Sequence, residues 1–267
     1  MPLAVCATPI GNLDDVTLRV LAELREADVV LAEDTRHTRG LLQRHGVEAR
    51  LLSYHQHNEA SRTAKLMPRL LAGERMALVS DAGQPGINDP GARLVAAALA
   101  AGVPVTVLPG ASAITTALAA SGFVTEKFQF LGYLPRGEKA LAALWEEFAS
   151  WPHAAVWFES PHRLSASLAS LAAALPEREV AVCRELTKRF EEVVRGLSGE
   201  VAKRFAGPPK GEVTVVLGPG EALHAPDDLA AQAVADLVAA GAGRRQAADV
   251  VARLTGVPRN QLYRGSL

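Results

Sequence analysis

Residues 78–91, LVSDAGQPGINDPG, hold the side chains best placed to do chemistry. Leu78 and Val79 complete a buried strand and leave Asp81 at its carboxyl end, the edge where open α/β sheets bind ligands. Gly83, Gly86 and Gly91 allow positive φ and close backbone approach, while Pro85 and Pro90 stiffen the path. Asp81 and Asp89 disfavour a phosphate there and favour a cationic or amine-bearing ligand. A plain strand-to-helix turn is the competing reading. Three further clusters stand out. Glu33-Asp34-Thr35-Arg36-His37 follows four apolar residues, and so dense a charged run is costly unless its groups pair or bind something. In SYHQHNE, 53–59, an extended chain would put His55, His57 and Glu59 on one face as a metal triad; a polar loop reads equally well. Arg184-Glu185-Leu186-Thr187-Lys188-Arg189 offers four charges to a phosphate backbone or to a neighbouring domain. G-x-G-x-x-G after a strand, G-x-x-x-x-G-K-[ST], H-E-x-x-H, paired C-x-x-C and G-x-S-x-G are all absent, which excludes the common dinucleotide, P-loop, metalloprotease and serine-hydrolase signatures.

Strand-like segments at 3–7, 29–32, 76–80 and 103–108 must carry these loops. Helices are expected near 16–25, capped by Asp14 or Asp15, and at 38–45, 60–72 and 93–101, with Pro109-Gly110-Ala111-Ser112 opening another. After Gly122 the pattern restarts, with strands at 128–131, 154–158, 179–184 and 212–217 and helices at 138–149 and 162–174. Such alternation predicts an α/β fold, with a mostly parallel sheet and crossover helices before Gly122 and a second α/β domain after it. Three units are expected: 1–120, 121–220 and a helical module, 221–267, whose last two helices suggest helix-turn-helix geometry.

The 267 residues are 49% hydrophobic, enough for two modest cores. No apolar run reaches membrane-spanning length, and Met1-Pro2-Leu3 supplies no basic leader. Two unpaired cysteines, Cys6 and Cys183, fit a reducing cytoplasm. A net charge of −1 excludes a chain that binds polyanions through overall charge. Locally, however, 221–240 carries four acidic residues and no Lys or Arg, and 241–267 carries five arginines against Asp249. That switch predicts one basic face on the terminal module.

TPIGNLDDVTLRVL, AEDTRHTRGLL, SYHQHNE, LVSDAGQPGINDPG, VLPGASA, FLGYLPR, FESPHRL, CRELTKRFEEVVRG, KGEVTVVLG and TGVPRNQLYRGSL occur in one order along the chain. In these strings it resembles the ribosomal RNA small subunit methyltransferase I family, the 16S rRNA 2′-O-ribose cytidine methyltransferases of the tetrapyrrole methylase superfamily. The resemblance implies two α/β domains with S-adenosyl-L-methionine in the cleft between them, a homodimer, and a C-terminal RNA-contact tail. It assigns cofactor contacts to Pro9, Ile10 and Gly11, to Asp81, Ala82, Gly83 and Ile87, to Ala111 and Ser112, and to Glu159, Leu186, Thr187 and Gly211. Gln84, Gly86 and Asn88 depart from the family pattern. Methylation of a ribose hydroxyl calls for a proton acceptor, with Asp34, His37 and Glu59 as candidates and Arg36 beside them to hold phosphate. RNA contacts are expected at Arg184, Lys188, Arg244, Arg245, Arg253 and Arg259, and no metal is implied. Three rivals remain: methylation of a tetrapyrrole precursor, a metal-dependent hydrolase using His55, His57 and Glu59, and a non-enzymatic RNA-binding assembly factor.

Overall fold

The structure, a computed structural model, describes residues 2–220 and 227–265; expectations for residues 1, 221–226 and 266–267, including part of the terminal module, lie outside the described residues. Strands β1 (Leu3–Cys6), β2 (Val29–Ala32), β3 (Leu51–Ser53), β4 (Met76–Val79) and β5 (Val105–Leu108) form a sheet ordered β3-β2-β4-β1-β5. Every pairing in it is parallel. All residues of β1, β2 and β4 are buried, so these strands read as unbroken apolar runs rather than alternations. Edge strand β3 is only half-buried and gave no sequence signal.

Helices α1 (Leu18–Glu26), α2 (Thr35–Arg44), α3 (Glu59–Leu71), α4 (Ala92–Ala100) and α5 (Ala113–Ser121) connect these strands and lead out of the sheet. Two starts differ from expectation. Thr17, not Asp14 or Asp15, caps α1: its Oγ1 accepts the Val20 N–H at 3.2 Å, while the two aspartates form a short 3-10 turn capped by Asn12. Asp34 caps α2 by accepting the Arg36 N–H at 2.8 Å, so Thr35, Arg36 and His37 form a first helical turn rather than a loop.

The second sheet contains β6 (Phe128–Tyr133), β7 (Ala154–Glu159), β8 (Glu179–Arg184), β9 (Glu192–Leu197) and β10 (Val213–Leu217), in the order β6-β7-β10-β8-β9. Only β6 and β7 run parallel. Unlike the first sheet, this one is mostly antiparallel. The short turn 185–191 returns the chain beside β8 as a hairpin, which forces antiparallel pairing. Helices α6 (Glu138–Ala149), α7 (Pro161–Ala174) and α8 (Ser198–Arg204) accompany this sheet, and its core centres on Trp145, Phe148, Trp157, Leu164 and Val182. α5 packs here as well, through Ile114 and Ala117 against Val156, Ala181 and Cys183. The expected boundary at 120/121 therefore falls at the end of a helix that belongs, by packing, to the second sheet.

Helices α9 (Asp227–Ala239), α10 (Arg244–Thr255) and α11 (Arg259–Gly265) share a separate small core containing Val234, Ala248, Val251 and Leu262. Gly256, at φ +74°, ends α10 in the left-handed conformation and turns the chain towards α11. Among the described residues no helix is long and apolar enough to cross a membrane.

Candidate functional site

Three bends at the carboxyl edge of the first sheet are tied together before any ligand is considered. Thr8 and Gly83 exchange backbone hydrogen bonds at 2.9 and 3.0 Å, and the Thr8 hydroxyl donates to the Ser80 carbonyl at 3.0 Å. The 8–11 bend is thus fixed on the acidic loop, where Gly83 takes φ +77°. A Cβ on Gly110 would lie 2.8 Å from the Ala7 Cβ, so the third bend needs glycine to come this close.

The same bends meet the second sheet. The Asn12 N–H donates to the Thr187 hydroxyl at 2.9 Å. A Cβ on Gly11 would lie 2.5 Å from the Lys188 Cγ and 2.8 Å from the Leu186 carbonyl oxygen. Thr187, with φ +66°, and Glu185, with φ +53°, hold left-handed conformations unusual for such residues. This loop is strained into place against the first sheet, a pattern found at functional sites.

Between the sheets lies a cavity of about 910 Å³. Ile10, Asp81, Ala82, Gly83, Ile87, Ser112, Glu159, Leu186 and Gly211 line it, all from the set implied by resemblance. Pro9, Gly11, Ala111 and Thr187, also in that set, are chain neighbours of lining residues but not part of the lining themselves. A second hollow of about 540 Å³ beside α2, lined by Arg39, Gln43 and Glu48, contains none of the implied residues.

The cavity is acidic. Glu33, Asp81 and Asp89 face it, and Asp81 Oδ1 accepts the Asp34 N–H at 3.0 Å. Burial, then the charge of Asp81, raises the Glu33 carboxyl above its ordinary range. Burial and then Glu33 push Asp89 up to about 6, against an opposing bond from the Ser80 hydroxyl. Across the cavity the Glu159 side chain is wholly buried. Its Oε1 accepts the Ser160 N–H at 2.8 Å and lies 3.6 Å from Arg163 Nη1, whereas Oε2 has no partner. Gln84 Nε2, another buried atom in a lining residue, is also unpartnered. Buried orphan polar groups are rare, and a ligand offering donors to Glu159 and an acceptor to Gln84 would satisfy both.

The four candidate catalytic residues lie outside this lining. Asp34 is engaged by Arg36, whose Nη2 is 2.8 Å from its Oδ2; that pair holds the Asp34 carboxyl well below its ordinary range. His37 is exposed on the first turn of α2. Glu59 turns away: its Oε1 accepts the Gly91 N–H at 3.1 Å and also faces the Tyr54 hydroxyl, at 3.4 Å. SYHQHNE is not extended either. Asn58 Oδ1 accepts the His55 N–H at 2.9 Å, and α3 starts at Glu59. The triad spacing is thereby lost, and among the described residues no group of three or more His, Cys, Asp or Glu side chains could hold a metal ion.

Of the expected RNA contacts, Arg184 is paired with Glu192 and donates to the Lys210 carbonyl, and Lys188 sits between Glu185 and Glu212. Arg259 pairs with Asp249. Arg245 and Arg253 are exposed on α10, and Arg244 is half-buried at its first position. Sequence reasoning placed Asp89 in the acidic loop but did not single out Glu33 as a cavity carboxylate, nor the upward shift that burial gives both groups. It also missed Phe128, Phe130, Tyr133 and Phe158, which line the cavity. Glu33 was discoverable as the first residue beyond a fully buried strand.

The sequence profile of the tetrapyrrole (corrin/porphyrin) methylases matches residues 2–202. The chain is 47% identical to the ribosomal RNA small subunit methyltransferase I of Micromonospora olivasterospora, over 98% of this chain and 85% of that protein. It is 42% identical to the protein of the same name from Halalkalibacterium halodurans, over 98% and 93%. Among solved structures, cobalt precorrin-4 methyltransferase is similar with a TM-score of 0.59 at 20% identity, covering 81% of this chain and 94% of that one. Uroporphyrin-III C-methyl transferase from Thermus thermophilus, complexed with S-adenyl homocysteine, is similar with a TM-score of 0.55 at 19% identity, covering 82% and 97%. These matches place the chain in the tetrapyrrole (corrin/porphyrin) methylase family, on the branch of the ribosomal RNA small subunit methyltransferase I proteins.

Proposed function

We propose that this methyltransferase modifies the 2′-oxygen of a cytidine ribose in 16S rRNA of the small ribosomal subunit, with S-adenosyl-L-methionine held in the cleft. The observation that carries the cofactor assignment is the unpartnered, fully buried Glu159 Oε2 facing an acid-lined cavity. The residues fit the group. Glu33, Asp81 and Asp89 favour a cationic ligand, Ile10, Ile87 and Leu186 offer apolar walls to an adenine, and Glu159 Oε2 accepts a hydroxyl or amine hydrogen. S-adenosyl-L-methionine, when bound, supplies an electrophilic methyl group.

The protein's own work is orientation, exclusion of water and proton acceptance. Glu33 and Asp89 are better placed than Asp34, His37 or Glu59 to take the ribose proton, because they line the cavity and their burial raises proton affinity. Asp34 positions Arg36, whose side chain is 86% exposed, to hold a phosphate at the rim. Arg244, Arg245, Arg253 and Arg259 supply a docking face on α10 and α11. Lys188 and Arg184 shape the 185–191 turn through their carboxylate partners and add positive charge beside it. The units 1–120, 121–220 and 221–267 act as donor-binding, cleft-completing and RNA-docking parts. Exposed Val107 on edge strand β5 suits an apolar contact between two copies of the chain, and the two buried free thiols suit a cytoplasmic enzyme.

The relatives that match nearly the whole chain bear ribosomal names, whereas the tetrapyrrole enzymes share the fold at about a fifth identity. Mass spectrometry of small-subunit RNA from a strain lacking the protein should show one ribose methyl group missing, restored by the wild-type chain. Transfer of label from S-adenosyl-L-methionine to a porphyrinoid and not to small subunits would overturn the proposal.

A further inference from the structure

Of the chain's seven phenylalanines and three tyrosines, four line the one cavity already described: Phe128, Phe130, Tyr133 and Phe158. A local irregularity in β6 puts them together. In a regular strand the face of Phe128 and Phe130 would pass next to Gly132. The register against β7 shifts between Phe130 and Tyr133, and Gly132 takes φ +66°. That bulge moves the parity by one residue, so Tyr133 joins the cavity face, while Leu131 and Leu134 stay with the core behind. Tyr133 pairs in register with Phe158 on β7. Their ring centroids are 5.9 Å apart, and those of Phe130 and Phe158 5.0 Å, both edge-to-face. These contacts brace the Phe130, Tyr133 and Phe158 rings against one another, yet Tyr133 is left 57% exposed; Phe128, on the same strand, is 43% exposed. Rigid, uncovered aromatic surface in a cleft is what a planar ligand needs.

We propose that this wall receives the target nucleobase, taken out of its stack and laid against Tyr133 and Phe128. The inference rests on the ribose-methylation reading and names where its substrate nucleotide sits. The wall is set apart from the Leu186 turn, while at its other end it meets the acidic loop, where a Cβ on Gly132 would lie 3.3 Å from Asn88 Oδ1. β6 lies three strands from β8, which leads into Leu186, a separation of about 14 Å at normal strand spacing. A cavity of about 910 Å³ is at the upper end of small-ligand pockets, ~300–1,000 Å³, and has room for a nucleoside beside the donor. Charge selects the occupant. Asp89, Glu159 and Glu212 line the same cavity as Tyr133, so acid and ring share one space. Phosphate is repelled from that interior, whereas an uncharged base and its ribose are not. The flanking phosphates stay outside, on the side of Arg36. Enzymes that modify single nucleotides commonly extrude them in this way, and stacking on aromatic side chains is how proteins grip splayed RNA bases.

The test uses the full-length protein, small ribosomal subunits from a strain lacking it, and S-adenosyl-L-methionine. Tyr133→Ala and Phe128→Ala should each raise the KM for subunits about tenfold or more. Their donor dissociation constants, measured by calorimetry without RNA, should stay near the wild-type value. Tyr133→Phe should recover most of the lost KM, since the ring remains. Tyr133→Trp provides a readout independent of turnover: its added emission should be quenched by unmodified subunits. An unchanged KM in both alanine variants overturns the wall as the base site. Loss of donor affinity equal to the rise in KM assigns the rings to the donor instead, and also overturns it. Wild-type protein that binds donor yet leaves subunits unmethylated overturns both this inference and the function it rests on.

Discussion

The Asn12 N–H reaches the Thr187 hydroxyl at 2.9 Å, joining the first bend of one sheet to the strained turn of the other. Gly11 makes that approach possible, because any Cβ there would lie 2.5 Å from Lys188 and 2.8 Å from the Leu186 carbonyl. Gly11→Ala should therefore push the two sheets apart and weaken donor binding about tenfold or more, by displacing walls rather than deleting a contact. Thr187→Val, which removes the acceptor, should cost about 1 kcal/mol of stability, and Thr187→Ser should restore it. Calorimetry and thermal unfolding check these values. Wild-type donor affinity in Gly11→Ala would mean that the cleft does not depend on this seam.

The proton acceptor is tested by comparing cavity carboxylates with the more obvious candidates outside. Glu33→Gln and Asp89→Asn should lower kcat, one of them by about 10²-fold or more, in the range expected for loss of a general base. His37→Ala should cost less than either, since the ring is exposed and lines no part of the cavity. Glu59→Gln should show itself chiefly in stability, because Glu59 holds the Gly91 N–H at the start of α4. Single-turnover rates with small subunits separate these effects. A large drop confined to His37→Ala would return the role to α2.

How much of this was legible in the sequence depends on where each signal originates. β1, β2 and β4 were readable because strands buried on both faces must be apolar throughout. β9 was not: Glu192 to Leu197 is half-buried beside a single neighbour, so its charges hid its alternation. The bends near Ile10, Gly83 and Ser112 were readable as tight loops because their glycines and prolines mark backbone geometry, and all three line the cavity. The raised proton affinity of Glu33 and Asp89 was not legible, since it comes first from burial and then from carboxylates brought together across two loops. Tyr133 was hidden for a different reason. Strict period-two reading sends it to the core side, and only the bulge at Gly132 brings it into the cavity. The SYHQHNE string misled in the opposite direction, as Asn58 folds it into a turn before α3.

Docking to RNA should reside mainly in the terminal helices. Arg245 and Arg253 are eight residues apart on α10, within about 80° of one another around the axis, and both are exposed. Asp249 between them is neutralised by Arg259 at 2.5 Å. Arg245→Ala and Arg253→Ala should each raise the KM for small subunits and flatten its dependence on salt by about one unit of log–log slope. Donor affinity should not move. Binding curves at several salt concentrations give the slopes, and identical slopes for wild type and the double variant would remove α10 from the interface.

Asp89 makes the site sensitive to pH with a defined sign. In the unfolded chain its carboxyl titrates near 4; in the folded protein burial and Glu33 raise it to about 6. The folded state thus resists its ionisation, so without ligand this group lowers stability progressively as pH rises from about 4 to about 6. Asp89→Asn should abolish that loss and leave the donor-free protein more stable than wild type at pH 7, with the gain fading below pH 4. A cationic donor reverses the preference by stabilising the ionised carboxylate. Its affinity should therefore strengthen as pH rises through about 6 and level off above. Calorimetric titrations from pH 5 to 8 would show this rise in the wild type and a flatter profile in Asp89→Asn. Donor affinity that weakens over the same interval, or one equally steep in both proteins, would mean that Asp89 does not face the bound cation.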